Sequence, residues 1–401
     1  MAATEAPPRA TAPPRALPPK TLPPTPLERQ GPPSPAPPSG RDVSLDLLRG
    51  LAMAILVVNH VALDSWLHYA TEPFLSAAEA LVVVSGVVAG MVFGRRWIAW
   101  GARRTTKALL HRSFVLYRSS VVVVALVGAL SLVPGLATEA LTIAPRTAGP
   151  DLYAFDGGAL RTALAVVTLE AGPWQFNILG FFVAALAVTP GLLWLLARGW
   201  WPAILAASWV LYLVGRATLA DVLPSQSERP FPFLVWQLLF VHGVVLGRHR
   251  EGIGRAVARL RRPLTAVLAI AAVAAWSRLH EIGLDPSGID WRPFDAEHFA
   301  KRTLDWGRLV TMLSFTAAAY LAFRRFEPLA ERTVGKLLLP LGRNSFYVFI
   351  THVFLCLAVA SLPLLEDGGF GRAGNTLAQA GCLALLWLMV TRRFLFRWIP
   401  R

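Results

Sequence analysis

The sequence predicts an all-α, polytopic membrane protein with about ten transmembrane helices and both termini cytoplasmic, and three observations lead there. Hydrophobic residues fill 55% of the 401 positions and charged residues only 16%, with a mean hydropathy of +0.50. That is too apolar for soluble domains of this length. Apolar segments of roughly 20 residues recur along the chain, each long enough to cross a hydrocarbon core of about 30 Å as a helix. Basic residues gather in alternate connections, the pattern of an even number of spans with both ends inside.

Residues 1–41 stand apart. Met1 to Gly40 are dominated by proline and have almost no large apolar side chains, so this tail is expected to stay extended or disordered in the cytoplasm. It lacks the apolar stretch of a signal peptide, and the first span is expected to act as an uncleaved insertion signal. Residues 42–401 form the expected transmembrane domain. Its candidate spans cover 44–64, 74–94, 112–133, 174–197, 202–220, 232–248, 263–280, 303–323, 344–364 and 374–391. Basic connections, GRRWIAWGARRTTKALLHR, GRHREGIGRAVARLRR, RRFEPLAERTVGK and the terminal RRFLFRWIPR, follow spans two, six, eight and ten. Acidic or mixed connections follow the odd-numbered spans, the longest being Pro134 to Pro173 and Leu279 to Arg302. Both mix aromatic residues with acids and arginines, which suits either carbohydrate contact or capping of the bundle.

A net charge of +15 with a pI near 11.0 does not mark a nucleic-acid protein, because the basic residues are scattered between apolar segments instead of forming one basic face. The two cysteines, Cys356 and Cys382, lie inside apolar segments without metal-type spacing. Neither a disulfide framework nor a metal site is expected.

The polar residues inside spans carry the functional signal, since an ionisable group in a bilayer is costly and marks function by default. Span one places Arg49 near the inner face and His60 near the outer one, roughly 16 Å apart along the helix. Span two returns with Glu79 at a similar depth to His60. A carboxylate bonded to one ring nitrogen of His60 would fix its tautomer and leave the other nitrogen as a base, with Asp64 as a competing partner nearer water. Trp236, Gln237 and His242 lie in span six, and Arg343, Asn344, Ser345, Tyr347 and His352 in span nine. His242 and His352 both fall near the midplane, where they could line a polar passage or bond to each other. Arg216 and Arg308 sit toward the outside as candidate anion contacts. Gly86 and Gly90 have the small-residue spacing of close helix packing.

In order along the chain, SLDLLRGLAMAILVVNHV, SAAEALVVVSGVVAGMVFGRR, FPFLVWQLLFVHGVVLG and LLLPLGRNSFYVFITHVFL resemble the OpgC family of membrane glucan succinyltransferases. The resemblance covers nearly everything after residue 42, and the Asn59-His60 pair with Glu79 is its specific part. Arg49 and His60 also match the Arg-x10-His pattern of the wider acyltransferase-3 group, whose members move acyl units from cytoplasmic acyl-CoA to extracytoplasmic acceptors. The lysosomal heparan glucosaminide acetyltransferases are more distantly similar, and that comparison would promote His68.

The resemblance implies an integral-membrane O-acyltransferase of the bacterial inner membrane, taking an acyl group, succinyl by resemblance, from acyl-CoA to a periplasmic or cell-wall glycan hydroxyl. His60 would be the general base, assisted by Glu79 and Asn59; a covalent acyl-histidine is the competing route. Arg49, Arg95, Arg96, Gln237 and His352 would face the acyl-CoA donor, with topology-setting as the alternative role of the Arg95–Arg112 charges. A transporter or flippase using intramembrane His and Glu residues is the reading from another class.

Overall fold

The computed structural model describes residues 42–61, 63–71, 77–142, 158–258, 297–362 and 371–400, with the isolated positions 269 and 272. The proline-rich tail, nearly all of the expected span over 263–280 and parts of both long connections lie outside the described residues. The described chain is all-α, without a strand. In chain order its helices are α1 (Val43–Val61), α2 (Trp66–Thr71), α3 (Ala77–Trp100), α4 (Ala102–Leu130), α5 (Glu139–Thr142), α6 (Ala159–Val167), α7 (Ile178–Ala197), α8 (Trp201–Thr218), α9 (Phe233–Ala258), α10 (Trp306–Arg325), α11 (Glu327–Arg332), α12 (Gly335–Arg343), α13 (Ser345–Ala360) and α14 (Gly371–Thr391). A short 3₁₀ turn, Trp174–Phe176, leads into α7.

Five described helical segments are long and apolar enough to cross a membrane: α1, α3, α4, Trp174–Ala197 and α14. A sixth is added if α12 and α13, bent by 97° at Asn344, count as one broken span. The expectation of about ten spans goes beyond this number. Helices α8, α9 and α10 occupy the expected positions of spans five, six and eight, but Arg216, Gln237, His242 and Arg308 lower their apolarity. The outer faces carry an apolar coat, including Val122 and Leu126 of α4 and Val210 and Leu213 of α8. Such a coat on a soluble monomer would be an aggregation surface; against lipid it is the proper exterior. The chain is a multi-pass membrane protein.

Helices also run beyond the apolar stretches that define them in sequence. The basic segment after Gly94 is helical up to a break at Gly101, where φ is 78°, a left-handed value that a residue without Cβ adopts freely. Helix α9 similarly continues to Ala258 through its arginines.

Close crossings organise the bundle, and glycine makes them possible. Helix α3 packs most extensively on α9. A Cβ on Gly86 or Gly90 would collide with the carbonyl oxygens of Phe240 and Val244, and one on Gly243 or Gly247 with those of Val83 and Val87. The two backbones are therefore in direct contact, the van der Waals packing that replaces hydrophobic drive inside a membrane. A second crossing joins α1 to α12, where Gly50 meets the Leu338 carbonyl and Gly342 the Asp46 carbonyl. Replacing Gly90 or Gly247 by valine should destabilise the protein by at least about 1–3 kcal/mol through overpacking. Gly191→Ala, where a Cβ meets open space, should leave the melting temperature of the detergent-solubilised protein unchanged.

Candidate active site

Helix α1 ends in Asn59, His60 and Val61, and the turn that follows is tied to α14. The Ser65 hydroxyl donates to Oε1 of Gln379, whose amide N–H groups reach the carbonyls of Val58 (3.0 Å) and Leu63 (3.4 Å), and the Asn375 amide donates to the Asp64 carbonyl at 2.9 Å. These bonds answer the carbonyls freed at the helix end and hold His60 in place.

His60 is half-buried and its Nδ1 lies 2.8 Å from Nε2 of His352, 292 residues away on α13. His352 is wholly buried, and its Nδ1 lies 2.7 Å from the Phe349 carbonyl. A carbonyl only accepts, so His352 carries its proton on Nδ1 and presents a bare Nε2. His60 must then donate its own Nδ1–H to that nitrogen. The consequence is a His60 imidazole whose Nε2 lone pair is free, the arrangement a general base needs.

Aromatic rings wall the pair. Trp174 meets the His60 ring edge-on with centroids 4.9 Å apart and donates its indole N–H to the Ala140 carbonyl at 2.9 Å. Phe349 packs on His352, and Phe176 stacks on Phe349 at 5.3 Å. The connection before α7 therefore covers the site, and Trp174 is a component that sequence reasoning did not single out.

Neither carboxylate offered to His60 by the sequence reaches it. Glu79, 1% exposed, pairs instead with Nε of Arg308 at 2.5 Å, while its Oε2 is buried without a hydrogen-bond partner among the described residues. Asp64 pairs at the surface with Arg372 at 3.4 Å. The orienting group is a histidine, because α13 packs against α1 at this level. His352 also bonds His60 and not His242, whose Nδ1 turns to the Leu238 carbonyl of its own helix at 2.8 Å.

The remaining expected residues are dispersed. The Asn59 side-chain amide oxygen accepts from the Thr71 hydroxyl at 3.0 Å and steadies α2, which carries His68 edge-on to Tyr69 at 6.1 Å. Gln237 is fully engaged with Ser208 and the Leu234 carbonyl, so it joins α8 to α9 and offers no free group to a ligand. His352, expected to face the donor, is instead sealed behind His60. Arg49 donates to the Ser345 hydroxyl at 2.6 Å. Arg96 lies over the rings of Phe93 and Trp100. Arg95 lines a cavity of about 420 Å³ together with Met91, Arg248, His249, Arg250 and Glu251. That cavity lies at the far end of α3 from Glu79, sixteen residues or roughly 24 Å along the helix.

Beside the Glu79–Arg308 pair, the loop before α10 brings in Lys301, its ammonium 4.6 Å from the centre of the Phe231 ring. This loop is firmly held: the Tyr212 hydroxyl donates to the Leu304 carbonyl at 2.8 Å, Asp305 accepts from the Ala300 N–H, and Arg216 pairs with Asp305 at 2.8 Å. Lys301 is open to water yet hemmed in by protein. Desolvation pushes its pKa down to about 8, with Glu79 pulling the other way and Arg308 adding to the fall. At neutral pH it is still mostly a cation.

The Glu79–Arg308 pair makes a direct prediction. Arg308→Met should strand a buried carboxylate and cost about 3–5 kcal/mol. The Glu79→Gln, Arg308→Met double variant should recover most of that loss, as read by thermal melts in detergent.

No curated protein matches the chain. Residues 41–398 match the family described as OpgC protein, a match covering the whole described bundle and both histidines of the pair. That family is one of membrane-associated, glucan-modifying enzymes of acyltransferase type. With multi-pass apolar helices in agreement, the chain belongs to the OpgC family.

Proposed function

We propose that this protein moves an acyl group, succinyl by its family resemblance, from cytoplasmic acyl-CoA to a hydroxyl of a glucan on the opposite face of the bacterial inner membrane, with His60 as general base. One observation carries the reading: the chain of bonds from the Phe349 carbonyl through His352 to His60 leaves Nε2 of a half-exposed imidazole unprotonated. As the acceptor oxygen attacks the thioester carbon, Nε2 takes its proton. The carbon–sulfur bond breaks, and the imidazolium returns the proton to the departing thiolate. His352 acts through His60 as a positioning residue, since its nitrogen accepts the Nδ1–H bond that strengthens as His60 becomes charged.

The cavity lined by Arg95, Arg248 and Arg250 supports a donor site at the other end of α3. Guanidinium groups suit the phosphates of CoA, and a basic end is the cytoplasmic one by the charge rule. An extended pantetheine arm would then run along the bundle toward His60. On this reading the termini are both cytoplasmic and the span number is even.

His60→Ala should lower acyl transfer by about 100- to 10,000-fold without changing the size-exclusion profile, as measured by mass spectrometry of glucan incubated with the protein and acyl-CoA. Full activity in this variant would remove the assignment. His352→Leu should lower kcat by about 10- to 100-fold, and His352→Gln, whose amide oxygen can still accept from His60, should recover part of it. Arg95→Ala combined with Arg248→Ala should raise KM for acyl-CoA with kcat little changed, the signature of lost uniform binding.

A further inference from the structure

Four arginines around the His60 end of the bundle are answered by carboxylates. Arg308 has Glu79, Arg216 has Asp305, Arg302 has Asp221 at 3.6 Å and Arg372 has Asp64. Among the described residues Lys301 has no carboxylate within ion-pair distance, and its contact is the face of Phe231. Glu79 gives Oε1 to Arg308 and leaves Oε2 buried without a partner among the described residues, and neither oxygen lies within ion-pair distance of Lys301. The Trp236 indole N–H, on a ring packed edge-on against the same Phe231 at 4.7 Å, is likewise buried without an acceptor among the described residues. Both residues lie against one phenyl ring, and among the described residues neither finds an acceptor.

The position of Lys301 is built, not incidental. Three independent bonds fix the loop on either side of it, and Leu304 within that loop is fully buried at a left-handed φ of 46°. A non-glycine residue at such a φ costs free energy that the surrounding contacts must supply. The Phe231 N–H bonds the Ser227 carbonyl, and the neighbouring Gln226 amide reaches the Pro173 carbonyl at 3.4 Å, next to the Trp174 that packs on His60, so the ammonium and the base flank the same pair of connections.

We infer that Lys301 is the specificity-determining residue of the reaction, binding the free carboxylate of a dicarboxylic acyl donor while its thioester end lies at His60. The inference rests on the acyltransfer reading and adds what selects the acyl group. A carboxylate bound there completes the missing ion pair. A neutral acyl chain of the same length leaves the ammonium unanswered, and a site that rejects through an unpaired polar group discriminates far better than one that rejects by shape. The small chain length of the acyl group is not what is read; its terminal charge is.

The test compares succinyl-CoA with butyryl-CoA on the full-length detergent-solubilised protein, using an uncharged glucan oligomer and an anionic one as acceptors. In Lys301→Met the ratio of kcat/KM for succinyl over butyryl should fall by about 10- to 100-fold on both acceptors, and Lys301→Arg should keep most of the preference. An unchanged ratio in Lys301→Met overturns the inference, and so does a loss that follows the charge of the acceptor instead of the donor. A wild-type protein that transfers neither acyl group brings down the acyltransfer reading itself, and the inference with it. A readout independent of turnover is amine labelling: reductive methylation near the lysine's pKa of about 8 should modify Lys301, succinate should protect it and butyrate should not. Equal protection by both, or by neither, counts against the carboxylate seat.

Discussion

Inside a bilayer a polar side chain on a helix is costly until another helix answers it, and α1 receives its answers from α13. Arg49 bonds Ser345 near the first turn of α13, and His60 bonds His352 two turns further on. The rungs are supported from below by the glycine-tight crossing of α1 with α12, the helix that leads directly into α13. Orientation of the imidazole, presentation of its free nitrogen and closure by Trp174 all follow from this register. If α1 slid by one turn against α13, His60 would face apolar side chains and both histidines would be stranded.

Much of the bundle was legible from hydropathy alone, because helices in lipid must satisfy their own backbone and therefore advertise themselves as long apolar runs. Spans at α1, α3, α4, α7 and α14 were read this way. Less legible were the helical continuations through basic segments, where a helix once nucleated continues past the apolar boundary until a residue such as Gly101 ends it. The short helix α12 was missed because GKLLLPLGR combines lysine, proline and arginine in nine residues. Its role becomes visible only when Gly342 is seen against Asp46.

The candidate site was legible in its centre and not in its partners. His60 stood out because an imidazole in a span demands a reason. Glu79 was assigned to it by matching depth along two antiparallel helices, but depth says nothing about azimuth, and Glu79 turns toward α10. The pairing of His60 with His352 joins residues 292 positions apart and has no local signature. Gln237, equally polar and equally deep, is spent on Ser208. Lys301 left no signal at all, since it sits in a connection where a lysine is unremarkable until its ammonium is found without a carboxylate at ion-pair distance among the described residues.

The backbone-to-backbone contact of α3 with α9 reaches beyond packing. Met91 and Arg95 come from one of these helices, and Arg248 and Arg250 from the other, so the basic cavity is carved into a single welded block. A recess with such walls cannot breathe to suit its occupant. Whatever it receives must already have the right outline, and adaptability during a reaction cycle has to be sought away from this block, in the connection over Trp174 at the other end.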